Sequence, residues 1–410
     1  MAEAALPVSI EDIRAAAQAI DGEVVATPTV LAPMLSARSG CHLALKLESL
    51  QHTGSFKDRG ALVKLKSLDA AARRRGVIAM SAGNHAQGVA HHAARLGIPA
   101  TIVMPQHTPF IKVARSEGFG ATVVLQGDSL DDARDYVQAQ VAERGLTLIH
   151  PFDDPQIIAG QGTVGLELLA AAPDLDDLVV PIGGGGLISG IAIAARAIKP
   201  DVRITGVEAA LYPSMSDAVA GKHRHYDGAT IAEGIAVKQP GALTRPVVSA
   251  LVDDILLVDE PALERAVELL LTECKVVAEG AGAAGVAALL SRGERFAGRR
   301  VGVVICGGNI DARMLSSILL RGLVREGRLV GLRVEIVDVP GALGRIAGLI
   351  GAAGGNIVEV YHQRLFYGLP VKRADIDIVM EARDRAHVET IIERLKDAGF
   401  PARALSEVGH

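Results

Sequence analysis

Short apolar runs alternate with longer stretches of helical spacing from about residue 42 to residue 305, and this alternation restricts the chain more than any other feature. Val77–Met80, Ala100–Met104, Ala121–Leu125 and Leu146–Ile149 form one series of expected strands. Leu178–Ile182, Arg203–Glu208 and Val301–Ile305 form a second, and the alternating run His42–Glu48 precedes both. Helical spacing fills the intervals at Val89–Leu96, around Ile111–Ser116, at Asp128–Arg144, Thr163–Ala171, Pro261–Cys274 and Gly285–Leu290, and after the glycines at 183–186 as far as Ile198. At the start of the chain, Ser9 reads as the N-cap of a helix to about Ile20, and Thr27-Pro28-Thr29 as a loop. Strands that alternate with helices require mostly parallel sheets covered on both faces. Two series predict two lobes, with a small lobe at about 53–155 inserted in a larger one over residues 1–325. The cleft between them is the expected site.

After Arg325-Glu326-Gly327-Arg328 the pattern changes. A strand at Leu329–Val339, a turn at Pro340-Gly341-Ala342-Leu343 and a helix at Gly344–Ala353 are followed by strands at Asn356–Leu365 and Val371–Ala382. A helix at Arg385–Ala398 and a last extended run at 401–405 complete the order βαββαβ, the ferredoxin-like arrangement, over 330–410.

Composition narrows the function classes. The 410 residues carry a net charge of -5 with both signs dispersed, so there is no electrostatic footprint for nucleic acid or an anionic membrane. Aromatic residues are 3% and Trp is absent, which argues against stacking platforms. Three distant cysteines, Cys41, Cys274 and Cys306, predict reduced thiols and a cytoplasmic protein. The first residues lack a basic segment before an apolar one, so no signal peptide is expected. Ile182–Ala195 is too short to span a bilayer.

Several motifs carry chemistry. Lys57, in Gly54-Ser55-Phe56-Lys57-Asp58-Arg59-Gly60, falls at a loop-to-helix junction. Most lysines are solvated, but one desolvated there supplies a neutral amine as nucleophile or base. Gly183-Gly184-Gly185-Gly186-Leu187 follows a strand and opens a helix, where unpaired N–H groups and the helix dipole favour a phosphate. The dinucleotide spacing G-x-G-x-x-G fails, because Ile188 or Ser189 stands at its last position, so a single phosphate fits better. Ser81-Ala82-Gly83-Asn84-His85 ends a strand in a turn whose N–H groups and amide suit a carboxylate or a phenolic oxygen. Cys306 ends an apolar strand before Gly307-Gly308 and reads as a buried thiol or a weak partner for a ring nitrogen. His91-His92 and His223-x-His225 lack the partners of a metal site, and spacing assigns no Ser-His-Asp set.

Together with Gly160-Gln161-Gly162-Thr163 and Cys306-Gly307-Gly308-Asn309, these motifs resemble the pyridoxal-phosphate threonine dehydratases, of the tryptophan synthase β-like, fold type II group. The resemblance covers most of residues 1–325. The tail resembles an ACT domain, with Pro340, Gly341, Ala342, Leu343 and Asn356 as its ligand site. The resemblance implies an α/β enzyme that turns threonine into 2-oxobutanoate and ammonia, and serine into pyruvate. It implies that Lys57 holds pyridoxal phosphate as a Schiff base and that Phe56 packs on the ring. Asn84 would bond the ring hydroxyl, Gly183–Leu187 the phosphate, and Ser81, Ala82, Gly83, Asn84 and His85 the substrate carboxylate. Gly234 would lie over the cofactor and Cys306 would face the pyridine nitrogen. Allosteric control by an amino acid, and a homodimer or homotetramer, follow from the ACT resemblance.

Related chemistries leave their own marks. Threonine synthases share Lys57-Asp58-Arg59-Gly60, and Asp58 departs from the aliphatic residue usual in dehydratases, but Ala82-Gly83-Asn84-His85 favours a dehydratase. Serine racemases carry serine where this chain has Ala82, so elimination with little racemisation is expected. Hydroxyaspartate dehydratases share the motifs. Glu208 falls where relatives place a ligand for a monovalent or divalent cation, but no carboxylate follows within Ala209–Ser214, and the site is unassigned. A non-catalytic amino-acid sensor is the rival of another class. Lys57, Asn84 and the glycine loop together argue against it.

Overall fold

The structure is a computed structural model that describes residues 6–129, 132–363 and 373–405. The ends of two expected strands, 364–365 and 371–372, lie outside the described residues. The chain divides into two compact units, 1–310 and 311–410. The helix Ala312–Arg325, which the sequence reading gives to the catalytic part, belongs to the second unit.

Strands in chain order are β1 (Thr29–Leu31), β2 (His42–Leu47), β3 (Val77–Met80), β4 (Ala100–Met104), β5 (Thr122–Leu125), β6 (Thr147–Leu148), β7 (Asp177–Pro181), β8 (Arg203–Ala209), β9 (Asp254–Val258) and β10 (Arg300–Ile305) in the first unit. Six form one sheet in the order β1-β2-β10-β7-β8-β9, parallel except for β1. The other four form a parallel sheet in the order β5-β4-β3-β6. β7 and β10 are buried on both faces along nearly their whole length, as parallel central strands must be.

The crossings put the chemistry at one edge. In the large sheet β10 lies between β2 and β7, with Leu47 opposite Ile305 at their ends. The segments that leave these three strands are 48–57, 306–309 and 182–186, which carry Lys57, Cys306 and the glycine loop. In the small sheet β3 runs out into Ser81–Asn84 and its neighbour β6 into His150–Phe152. Ligands of open α/β sheets bind beyond the carboxyl ends of strands for this reason.

The helix Pro155–Ala171, capped by Asp154 with Pro155 behind it, sets the spacing of the site. It begins eight residues before the expected Thr163, because the cap lies in Asp153-Asp154-Pro155. A Cβ on its Gly160 would stand 2.6 Å from Gly60 Cα in the helix Lys57–Lys66. A Cβ on Gly190, in the helix Gly186–Ile198, would stand 2.5 Å from Gly162 N. Gly160-Gln161-Gly162 is therefore a contact surface. It brings the Lys57 helix and the helix that follows the glycine loop against one shared partner.

A buried cluster of charges braces the same helix. Arg59 donates to Glu48 at 2.8 Å, to Glu167 at 2.5 and 2.8 Å, and to the Thr163 hydroxyl at 3.1 Å. Lys46 Nζ donates to Glu167 at 2.6 Å. Burial alone would lower the Arg59 pKa, but Glu48 and Glu167 more than offset it and hold it above its ordinary value.

The second unit has β11 (Leu329–Val337), β12 (Asn356–Gln363), β13 (Arg373–Glu381) and β14 (Ala402–Ala404) in an antiparallel sheet of order β12-β13-β11-β14. The helices Ala342–Ala352 and Arg385–Asp397 pack on it through Ile346, Ile350, Ile391 and Leu395. The expected βαββαβ order is present. The sequence reading did not separate β1, β9 or the helices Pro33–Ser39, Ala70–Arg75, Ser214–Val219 and Thr244–Leu251.

Two glycine substitutions have opposite expected signs. Gly160→Ala overpacks the contact with Gly60 and should cost about 1–3 kcal/mol. Gly348→Ala, in a helix with nothing within 4 Å of its Cβ, should stabilise the second unit by roughly 1 kcal/mol. Urea unfolding of both variants checks the pair.

Candidate active site

Lys57 is the first residue of its helix, and Phe56 precedes it as N-cap. The turn is pinned to the end of β10: Phe56 N donates to Cys306 O at 3.0 Å, and Ser55 bridges Gly307. Lys57 Nζ donates to Pro151 O at 2.7 Å and lies 5.0 Å from the Phe56 ring centroid. Burial pushes its pKa down to about 8, against a partial pull upwards from Cys306 and Glu279. A lysine held there provides a neutral amine close to physiological pH.

Asn84 opens the helix Asn84–Arg95 and is fixed at both ends of its amide. Nδ2 donates to Glu279 Oε1 at 2.6 Å, and Oδ1 accepts from Asn309 Nδ2 at 2.8 Å. Glu279 is half-buried, and desolvation raises its pKa to about 7 despite the bond from Asn84. Its backbone N–H bonds Gly307 O at 3.1 Å. Burial likewise holds the Cys306 thiol well above its ordinary value, so it is neutral.

The glycine loop closes the other side. Gly184 O accepts from Thr244 Oγ1 at 2.6 Å and from Gly241 N at 3.2 Å. Gly185 has φ +94°, and the helix begins at Gly186. The first-turn N–H groups of that helix have no intrahelical acceptor. A Cβ on Gly184 would fall 2.3 Å from the Phe152 ring, so the backbone there tolerates only glycine. Phe152 follows Pro151, so one short segment touches both Lys57 and the loop.

The structure thus brings Phe56, Lys57, Asn84 and Cys306 together. Gly234 joins them: its carbonyl lies near Gly183, and its Cβ position is 3.4 Å from Glu279 Oε1. Leu187 is buried in the first turn of its helix. Ser81 Oγ accepts from Gly83 N at 3.2 Å, and Ala82 packs on the small-lobe core. The His85 ring turns inward to Ile149 O at 2.8 Å, and burial drives its pKa down to about 3. Its backbone, not its imidazole, faces the role expected of this turn.

In the second unit, Gly341 has φ +88° and caps the helix that starts at Ala342. Pro340 and Leu343 are exposed, Ala342 is buried, and Asn356 Nδ2 donates to Glu381 at 2.9 Å.

Glu279 escaped the sequence reading. Its signal was a lone carboxylate before the small-residue run Gly280-Ala281-Gly282-Ala283-Ala284. Glu208 accepts from Met215 N at 2.8 Å and Ser216 N at 2.9 Å, and burial raises its pKa to about 7. No group of three metal-ligating side chains occurs among the described residues.

A buried amine, a glycine cradle at a helix N-terminus and a neutral thiol suit a phosphate-bearing aromatic aldehyde. The sequence matches the family described as "Pyridoxal-phosphate dependent enzyme" over residues 20–307. The chain belongs to the pyridoxal-phosphate-dependent enzymes. Residues 330–400 match the ACT domain. The chain is 42% identical to the L-threonine ammonia-lyase of Thermotoga maritima over 398 residues, 97% of this chain and 99% of that one. Among solved structures, the processed form of a threonine deaminase from Solanum lycopersicum is 34% identical with a TM-score of 0.71, over 77% of this chain and 87% of that one. Maize serine racemase is 36% identical with a TM-score of 0.73, over 78% and 99%.

Glu208 allows a test of the electrostatics. Its folded pKa of about 7 stands above the ordinary 4.5, so between these values the folded state holds more protons than the unfolded chain. Stability then falls as pH rises through 7. Glu208→Gln lacks this dependence. Its unfolding free energy should gain on the wild type by roughly 3 kcal/mol between pH 4.5 and 8, measured by denaturant unfolding across that range.

Proposed function

We propose that this pyridoxal-phosphate enzyme is an L-threonine ammonia-lyase, which converts L-threonine to 2-oxobutanoate and ammonia, and L-serine to pyruvate and ammonia. The observation that carries the reading is the half-buried Lys57 amine bonded to Pro151 O, next to the Phe152 that packs on the glycine loop, in a chain whose similarity to a threonine ammonia-lyase spans both units.

When bound, the cofactor supplies an electron sink for the pair left at Cα. Lys57 Nζ would hold the aldehyde, and its free amine is the base placed to take the substrate's α-proton. Its lowered pKa suits that task near neutral pH. The N–H groups at 183–187 would hold the phosphate. Those of the 81–85 turn hold the substrate carboxylate, and Asn84 presents its remaining amide proton to the ring oxygen. Cys306 would stand at the ring nitrogen as a neutral thiol. It adds no negative charge there, which favours loss of the β-hydroxyl over return of the proton.

Turnover of L-threonine, L-serine and threo-3-hydroxyaspartate by the purified protein tests this reading. Release of 2-oxobutanoate from threonine is expected, reduced about 10²- to 10⁴-fold in Lys57→Ala. A strong preference for hydroxyaspartate would make the chain a hydroxyaspartate dehydratase. Ala82 predicts elimination with little racemisation, and substantial D-serine from L-serine would point to a racemase instead.

The ACT unit binds an amino-acid effector, and we infer isoleucine or valine at the Pro340–Leu343 turn and Asn356. Edge strand β12 exposes Val358, Val360 and Tyr361, which supports pairing with a second copy in a homodimer or homotetramer. Three free thiols support a cytoplasmic location. No helix among the described residues is long and apolar enough to cross a membrane. Isoleucine or valine should shift the half-saturating threonine concentration of the full chain, and Gly341→Val should abolish the shift. A saturation curve unmoved by every common amino acid overturns the regulatory reading.

A further inference from the structure

The helix Asn84–Arg95 is tied to the lysine turn at two points eight residues apart, about 12 Å along its axis. At its start, Asn84 is bonded to Asn309. Near its end, His92 Nε2 lies 3.0 Å from Asp58 Oδ1, and both side chains are fully buried. The two ties meet at Thr53. Asp58 Oδ2 accepts Thr53 N at 2.9 Å, and Asp58 Oδ1 accepts the Thr53 hydroxyl at 2.9 Å. Thr53 O in turn accepts from Asn309 Nδ2 at 2.7 Å.

Donor and acceptor counts give this chain a direction. A carbonyl only accepts, so the amide nitrogen of Asn309 faces Thr53. The second proton on that nitrogen goes to Asn84 Oδ1. The Asn84 oxygen is thereby engaged, and its nitrogen is turned to Glu279. Asn84 is left with one free N–H and offers the site a donor. At the other end, Asp58 already accepts two protons from Thr53, so His92 carries its own on Nε2. His92 Nδ1 is buried without a hydrogen-bond partner among the described residues, so Asp58 is what satisfies this ring.

We propose that Asp58 is a positioning residue for the reaction: through Thr53 and Asn309 it sets the Asn84 amide as a donor towards the cofactor, and through His92 it locks the helix that carries Asn84 beside Lys57. The inference rests on the reading of Asn84 as a partner of the cofactor's ring oxygen. Asp58 touches neither substrate nor cofactor.

The test uses the full-length holoenzyme and the variants Asp58→Leu, Asp58→Leu/His92→Leu and Thr53→Val. The visible band of the bound cofactor is titrated against pH, alongside the melting temperature and the kcat and KM for threonine. Lys57 is influenced by Glu279 and Cys306 and itself acts on His85 and His150, with Glu233 and Lys112 bearing on Glu279, so the band responds to a displaced donor. Asp58→Leu strands the His92 proton and should lower the melting temperature. The double variant removes both partners and should recover most of that loss. Its titration midpoint should nevertheless stay displaced from wild type by about half a pH unit or more, with kcat reduced more than KM is raised.

If the double variant regains both the melting temperature and the wild-type titration, Asp58 is only a packing partner and the proposal is overturned. Thr53→Val keeps the backbone bond and removes the hydroxyl, so it reports even if the leucine variants fail to fold. A smaller displacement in the same direction is expected, and an unmoved titration overturns the proposal. A wild-type band indifferent to Asn84→Ala would instead remove the reading of Asn84 on which the inference stands.

Discussion

The desolvation of one amine organises the molecule. Lys57 Nζ donates to Pro151 O, and desolvation brings its pKa down to about 8. An isolated lysine would avoid such a place, because burying a charge without a full set of partners is unfavourable. The fold holds it there by fixing everything around it. Phe56 is bonded to the end of β10, Arg59 is anchored in a buried cluster of four charges, and Gly60 rests on Gly160. Three consecutive positions after the lysine, Asp58, Arg59 and Gly60, each make a contact that depends on their own chemistry: a buried acceptor, a forked donor and a bare backbone.

That view explains which parts of the site were legible in the sequence. Lys57, Asn84, Cys306 and the glycines at 183–186 could be read because each lies in a segment that leaves a strand and leads into a helix, where local grammar marks a strand, a turn and a helix in succession. The parallel lobes and the βαββαβ tail were legible for the same reason. Glu279 and Phe152 were not. Each reaches the site across a distance in sequence, Glu279 to Asn84 over 195 residues, and nothing local marks a carboxylate as buried. Boundaries failed where a cap outweighed periodicity, as in the helix that starts at Pro155 behind Asp154. The short β1 was read as loop because its three residues have no alternation of their own and are a strand only through pairing with β2.

Gly160-Gln161-Gly162-Thr163 shows a motif whose meaning changed with the structure. In sequence it is part of a family pattern. In space it is a packing surface, where a helix with small residues meets two others at backbone distance and Thr163 reaches Arg59. Such an arrangement cannot be made by loops alone, because it keeps the lysine turn and the glycine turn at a fixed separation. One rigid helix, touching both, supplies it.

The charges of the site also form a set. Burial alone would leave Lys57 neutral and Glu279 protonated, and each partly opposes this in the other: Glu279 raises Lys57, and Lys57 lowers Glu279. Their values, about 8 and about 7, lie close to each other and to neutral pH. Both groups therefore stand near their titration points at neutral pH, and the charge on either biases the proton on the other. Cys306, which also pulls Lys57 upwards, is itself held in the thiol form by burial. A carboxylate in its place would add a negative charge beside Lys57 and hold the amine in its ammonium form, against the demand for a free base. The neutral thiol therefore suits both the ring nitrogen it is proposed to face and the lysine beneath it.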